Sequence, residues 1–320
     1  MLSALKFVQG AVARKGFVPS LTHFRIEGGK VKGYNGNLAL CSPIPLDLSV
    51  TPKAGSFVQA IQTCKEATQL HMTPAGRLAI KSGKFRAYVE CTDEVYPDIR
   101  PEGTRIQLNP DNALLPVLKL LRPFIAEDAS RPWARGVLFR NGSAFATNNI
   151  ILIEHWMGYD FPVEINLPAP AVAEIIRIGK EPTSMQVSEG SITFHYDETG
   201  RWLRSQVYTT QWPDVAKILD TVGELKPIPE GLFEALEDIA PFADDVNRCY
   251  FLDGKISTVQ EGDQSGASME VEGIAGGPIF HCQQLALLAG VAHSADFSRY
   301  PAPCPLAGEK LRGAIVGVRA

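Results

Sequence analysis

Nucleophiles, metal cages and phosphate-binding loops each need their residues at fixed spacings. In the 320-residue chain one segment has the local look of a nucleophile loop, Gly262-Asp263-Gln264-Ser265-Gly266. A reactive serine also needs a histidine base and an acid that orients it, and Ser265 falls at a hairpin tip with neither nearby in sequence. The six histidines (His23, His71, His155, His195, His281, His293) show no ligand spacing, and His155-Trp156 reads as a strand end. Cys41, Cys64, Cys91, Cys249, Cys282 and Cys304 stand far apart with no CxxC pair. They read as reduced, mostly buried small side chains and not as a disulfide framework or metal site. GxSxG elbows, Walker loops, HExxH and a GxGxxG before a helix are all missing. The expectation is a protein without catalytic residues, metal or cofactor.

Charge is the remaining chemistry. A formal net charge of −4, from 31 basic and 35 acidic residues, argues against coating nucleic acid by bulk attraction. It does not exclude a DNA partner, because what matters is where the Lys and Arg residues sit. With 45% hydrophobic and 21% charged residues the chain has material for more than one core, and its length suggests two or three domains. No apolar run is long enough to cross a bilayer, and MLSALKFVQGAVARKG lacks the layout of a signal peptide. A soluble cytoplasmic protein is expected.

The elements that would position these charges come in three copies. HFRIEGGKVKGYNGNLAL (His23–Leu40), VLFRNGSAFATNNIILIE (Val137–Glu154) and CYFLDGKISTVQEGDQSGASME (Cys249–Glu270) each read as strand, tight Gly turn, strand. Gly29, Gly142 and Gly254 are spaced by 113 and 112 residues, about a third of the chain. A helical segment precedes each hairpin. LSALKFVQGAVARK sets Leu5, Val8 and Val12 on one face, while LNPDNALLPVLKLLRPFIAED and IPEGLFEALEDIAPFADD match along their length. Both of the latter begin on Pro plus an acidic residue, suited to a helix N-terminus, and close on Pro-Phe and acids. Second helices follow in GSFVQAIQTCKEAT, APAVAEIIRIGK and HCQQLALLAGVA. The first two copies end alike, on Tyr96-Pro97-Asp98-Ile99 and Trp212-Pro213-Asp214-Val215. Each repeat is thus helix, hairpin, more strand, helix, hairpin: an α+β unit of about one hundred residues, divided as 1–102, 103–220 and 221–320.

Three stretches carry a family resemblance over essentially the whole chain. They are Gly136-Val137-Leu138-Phe139 leading to Ala146-Thr147-Asn148-Asn149; Leu167-Pro168 with Ala173-Glu174-Ile175-Ile176-Arg177; and Trp212-Pro213-Asp214-Val215. In that order and spacing the chain resembles the bacterial DNA sliding clamp, the beta subunit of the replicative DNA polymerase III. Departures are plain. Asn149, Ile150 and Ile151 replace the family's Gly-His-Arg. Ala169-Pro170 stands where a basic pair is common. Val316-Gly317-Val318-Arg319-Ala320 matches the Met-Pro-Met-Arg-Leu tail only in outline, and the chain is shorter than a typical member. A divergent copy, such as one carried by a phage, fits this pattern.

The resemblance implies three tandem clamp-type domains, with helices on an inner face and antiparallel sheets outside, assembling as a homodimer into a ring around duplex DNA. Residues Lys6, Arg14, Lys15, Lys119, Arg122, Arg177 and Lys180 would face DNA phosphates without reading sequence. Helix Gly231–Ala240 carries Glu234, Glu237 and Asp238 and no Lys, so DNA contact would be asymmetric or weak. DNA polymerase and clamp loader would dock short peptides in a groove of Leu138, Thr147, Leu152, Pro213, Ile218, Val316 and Val318. Each buried anchor there would contribute about 1.5–3 kcal/mol. Val in place of Met would make that groove stiffer and shallower. Phe85, Tyr88 and Phe242 would meet at the ring interface. The alternative is a clamp-fold adaptor or structural protein that has lost DNA encirclement.

Overall fold

The computed structural model describes residues 1–16, 18–128, 130–221, 223–260 and 265–319. Gly262–Gln264 of the Ser265 loop, Val222 at the second boundary and Ala320 of the tail lie outside these described residues.

A common order of helix, three strands, helix and three strands recurs three times, with one further strand before each helix in the second and third copies. First come α1 (Leu2–Val8), β1 (Arg25–Glu27), β2 (Lys30–Tyr34), β3 (Leu38–Pro43), α2 (Ala54–Thr63), β4 (Thr68–Met72), β5 (Arg77–Ser82) and β6 (Phe85–Glu90). Next are β7 (Arg105–Gln107), α3 (Leu115–Leu121), β8 (Gly136–Arg140), β9 (Ser143–Thr147), β10 (Ile151–Trp156), β11 (Ile165–Pro168), α4 (Ala169–Ile178), β12 (Ser184–Ser188), β13 (Ser191–His195) and β14 (Trp202–Gln206). After the short α5 (Ala216–Leu219) follow β15 (Lys226–Pro227), α6 (Leu232–Ile239), β16 (Arg248–Leu252), β17 (Lys255–Ser257), β18 (Ser268–Glu270), β19 (Ile279–His281), α7 (Cys282–Ala286), β20 (Ser294–Ala295), β21 (Cys304–Gly308) and β22 (Leu311–Ile315). Three strands follow the second helix of each repeat, where the sequence suggested a hairpin.

The turns are the ones the sequence asks for. Gly29, Gly142 and Gly254 have φ of 69°, 74° and 76°, and Gly28 and Asn141 before them are also positive at 55° and 51°. Two successive left-handed residues give the hairpin turn whose twist matches its strands. The helices are shorter than the spacing suggests. α1 passes at Gln9 into a 3-10 turn over Gln9–Ala11 and Val12 follows in extended backbone, yet Val8 and Val12 both still reach Gly33. α3 and α6 tighten likewise, over Arg122–Phe124 and Ala240–Phe242, where Pro123 and Pro241 lack the N–H that would continue the helix. The Pro-acidic pairs precede these helices and do not open them. Asp111 is tied back to the Asn109 side chain at 3.1 Å, and the free amides of Leu114 and Leu115 donate to the Glu181 carboxylate at 3.0 and 2.9 Å. A carboxylate distant in sequence but held opposite the helix start satisfies both orphan donors at once.

The chain divides into two compact units. In the first, Met1–Leu115 with Pro170–Val207, one antiparallel sheet runs β1-β2-β3-β14-β13-β12-β7 and a second runs β4-β5-β6. β3 is buried from Leu38 to Ser42 because both its faces are covered. α1 packs on one face, and Trp202, Tyr34 and Ile99 gather over Ala39 and Cys41 on the other. In the second unit, Pro116–Ala169 with Tyr208–Ala320, the sheets run β11-β8-β9-β10-β22-β21-β20-β15 and β18-β17-β16-β19. Its core includes Phe139 and a ring cluster of Phe251, Phe280 and Phe297 with centroids 5.2–5.4 Å apart.

Both large sheets are seamed by one rule: the third strand after the first helix of a repeat pairs with the last strand of the next. Thus β3 pairs with β14 (Cys41 opposite Trp202, Leu40 opposite Leu203), and β10 pairs with β22 (Ile151 opposite Ile315, Ile153 opposite Gly313). Gly313 is required at the second seam, since a Cβ there would lie 2.4 Å from the Leu152 carbonyl oxygen. Gly313→Ala is expected to destabilise the chain by about 1–3 kcal/mol, read as a lower urea midpoint at unchanged slope; an unchanged midpoint would mean the seam has slack.

His195 on β13 is 7% exposed and lies 2.7 Å from Gln186 Oε1; burial, with Arg105 nearby, lowers its pKa from 6.5 to about 4. The unfolded chain therefore takes up a proton that the folded chain refuses. The stabilisation is complete above pH 6.5 and is lost as pH falls toward 4. The urea midpoint should drop across that window, and His195→Asn should flatten the drop.

Candidate functional site

The turn joining β9 to β10 is fixed by its own side chains. Thr147 Oγ1 donates to the Ile151 carbonyl at 2.8 Å and accepts from the Asn149 amide at 3.1 Å. Asn148 Oδ1 accepts from the amides of Ile150 and Ile151 at 3.1 and 2.8 Å, while its Nδ2 donates to Gln284 Oε1 at 2.5 Å. Asn149 stands where the family pattern has Gly and takes a left-handed φ of 74°, a conformation that Asn tolerates better than most residues. The tail zips onto this turn, with the Val316 amide donating to the Ile150 carbonyl at 2.9 Å.

Beside the turn lies a groove of about 250 Å³. Five of the seven residues expected there line it together: Thr147, Leu152, Pro213, Ile218 and Val316. The other two do not. Leu138 is 4% exposed and packs beneath, in a core with Leu152, Trp212 and Leu219. Val318 turns its backbone to other partners, its amide to the Ile279 carbonyl and its carbonyl to the Tyr300 hydroxyl. Ile218 and Val316 are each 37% exposed, so they offer apolar surface at the opening. Sequence reasoning missed Trp133, Ile150 and Pro303 in the lining, and Arg131 at the rim, whose Nη1 donates to Asn149 Oδ1 at 3.1 Å. Arg131 and Trp133 stand just before the recognised Gly136 stretch, which was the available signal. Trp133 stacks edge-on against Trp212, centroids 5.0 Å apart, and stiffens the floor. Asp214 accepts from the Ala216 amide at 3.1 Å and so starts α5, which presents Ile218.

In the first unit a cleft of about 630 Å³ brings together Lys6, Arg14 and Arg177 of the expected cationic residues, and adds Lys53 at the start of α2. Arg177 is largely committed. It donates from Nε and Nη2 to Glu174 at 2.8 and 2.5 Å, and from Nη2 and Nη1 to the carbonyls of Phe7 and Lys6 at 2.7 and 3.2 Å. Glu174 bonded to it holds the guanidinium pKa above its ordinary value. Gly10 permits this approach, because a Cβ there would lie 2.0 Å from a Glu174 oxygen. Lys15, Lys119, Arg122 and Lys180 are exposed and do not line this cleft.

The three expected ring residues differ. Phe85 and Tyr88 sit on opposite faces of β6: Phe85 is half-buried, and Tyr88 is 62% exposed. Phe242, after α6, is 59% exposed. Ser265 lines a polar hollow with Asp244, Arg248 and Tyr250, and that lining contains no histidine. Among the described residues no three His, Cys, Asp or Glu side chains are placed to hold a metal, and no helix is long and apolar enough to cross a membrane.

No protein-family model and no curated protein matches the chain. Solved structures do. The Caulobacter crescentus pol III beta aligns over 100% of this chain and 97% of its own, with a TM-score of 0.82 at 17% identity. The Bacillus subtilis DNA polymerase sliding clamp aligns over the same shares with a TM-score of 0.82 at 16% identity. A Bartonella birtlesii sliding clamp bound to griselimycin aligns likewise, with a TM-score of 0.80 at 16% identity. With TM-scores of 0.80–0.82 over 100% of this chain and 97% of each neighbour, the chain has the fold of the bacterial DNA polymerase sliding clamps.

Proposed function

We propose that this chain is a non-catalytic DNA sliding clamp: three tandem domains, 1–102, 103–220 and 221–320, that close as a homodimer around duplex DNA. It tethers DNA polymerase and clamp loader by short peptides, in the cytoplasm. The observation that carries the ring is the seam rule. It is used twice within the chain and leaves one strand of each kind over: β18, the third strand after the first helix of the last repeat, and β6, the last strand of the first, are both sheet edges. A second copy supplies each with its missing partner, and closure removes two open edges that would otherwise aggregate. Tyr88 on β6 and Met269 on β18, 62% and 40% exposed, are the exposed large apolar residues on those edges, and Phe242 of the last repeat would join them at the interface. Phe85 supports β6 from its other face.

The groove supports peptide tethering. Thr147, Leu152, Pro213, Ile218 and Val316 surround an apolar depression large enough for one or two anchor side chains. Lys15 and Lys180 would add charge to the first unit, whose cleft Lys6 and Arg14 line, and Lys119 and Arg122 would add charge to the second.

Sedimentation should give twice the 34.8 kDa chain mass, and Tyr88→Glu with Met269→Glu should leave monomers; a wild-type monomer at micromolar concentration removes the ring. Loaded protein should be retained on nicked circular plasmid and run off linear plasmid. Retention on neither would favour the adaptor reading, to which the acidic α6 already leans.

Ile218→Asp or Val316→Asp should weaken a polymerase-derived peptide at least tenfold in fluorescence polarisation. A generic bacterial clamp-binding peptide should bind this stiff, Val-edged groove more weakly than it binds the Bacillus subtilis clamp; equally tight binding contradicts that preference.

A further inference from the structure

Of the six residues from Thr147 to Leu152, five line the groove and Asn148 does not. Its side chain is the rear anchor of the turn. Asn148 Oδ1 accepts from the amides of Ile150 and Ile151, which leaves only the Nδ2 end to reach another partner. That end donates to Gln284 Oε1 on α7, 136 residues further along the chain. Gln284 does not line the groove either. Its helix is a firm support, because Cys282 and Leu285 are fully buried and α7 packs against α6. All of these groups lie within one compact unit. The other tie from the last repeat, the Val316 amide on the Ile150 carbonyl, joins two lining residues, whereas Gln284 holds the turn from outside the groove.

We propose that Gln284 is a positioning residue for the groove: it holds the Asn148 carboxamide and so fixes the wall of Thr147, Asn149, Ile150 and Ile151 without touching a bound peptide. The proposal rests on the reading of this groove as a peptide site and names what keeps that site in shape. Two amide bonds to one oxygen set the turn. When Nδ2 loses its acceptor, the carboxamide is free to rotate, and both bonds rotate away with it. Asn148 and Gln284 are both half-buried, so water replaces the lost partner poorly. A wall left free to shift must be ordered again each time a peptide binds, and that ordering is subtracted from affinity. The second repeat thus supplies the turn, and the third repeat sets its shape.

The test is fluorescence polarisation of a labelled generic bacterial clamp-binding peptide on the full chain, with amide hydrogen exchange of residues 147–152 followed alongside. Gln284→Leu keeps the bulk and removes the acceptor. It should weaken the peptide about fivefold, the worth of one hydrogen bond, and speed exchange at Ile150 and Ile151. Gln284→Glu still accepts and should restore both. Asn148→Asp alone should bind near the wild-type level, because Gln284 can turn its amide to donate. The double variant Asn148→Asp/Gln284→Glu sets two carboxylates face to face and should lose more affinity than the two single changes together. A Gln284→Leu variant with a lower thermal midpoint but wild-type affinity is a plain tie between repeats, and overturns the positioning role. A double variant whose losses simply add overturns it too. If the wild type binds no peptide while exchange still rises in Gln284→Leu, the peptide reading fails and the hold of Gln284 on the turn stands. If the wild type binds and Gln284→Leu matches it, the peptide reading stands and the positioning role fails.

Discussion

An unpaired strand edge is the constraint on which the rest of this structure depends. Each repeat ends its first half on a strand whose outer hydrogen-bonding groups have no partner inside that repeat, and buried backbone groups cannot be left open. The chain solves this by borrowing the last strand of the following repeat. Cys41 opposite Trp202 and Ile151 opposite Ile315 are two instances of one solution, in different residues. β3 and β10 thereby have both edges paired, and Leu38–Ser42 of β3 and the first half of β10, Ile151–Ile153, are buried. The need for Gly313 follows as well, where neighbouring backbone comes too close for any side chain.

Charge is distributed by a similar logic of satisfied and unsatisfied groups. Glu174 and Arg177 sit one helical turn apart on α4, and their pairing converts a cation into a brace for the end of α1. Arg312 does the same beside the second seam, where it bridges Glu154 at 2.6 Å and Asp220 at 2.8 Å. Cations without such partners, Lys6 and Arg14 among them, keep their charge available to solvent and to ligands. Net charge, −4 here, reports none of this.

The departures from the family pattern become intelligible at the turn between β9 and β10. Replacing a Gly by Asn149 keeps the left-handed backbone and adds an acceptor for Arg131. Replacing polar residues by Ile150 and Ile151 makes the groove wall more apolar, while Thr147 and Asn148 hold the turn through side-chain hydrogen bonds. The fold is shared with those clamps at 16–17% identity, a level at which most side chains differ.

By itself the sequence determined the α+β class, the Gly-centred hairpins, the recurrence of those elements and the Pro-Phe helix ends, while the resemblance named five residues that line one depression. These are local facts: a turn needs a residue that tolerates positive φ, and a helix ends where an N–H is missing. Only tertiary structure decided where α3 begins, because Glu181 caps it from 67 residues away. It also buried Leu138 beneath the groove, put Trp133 in its wall, and paired Arg177 while leaving Lys6 free. Those outcomes turn on which groups come within hydrogen-bonding reach once the sheets are assembled, and distance in space is not written in spacing along a chain.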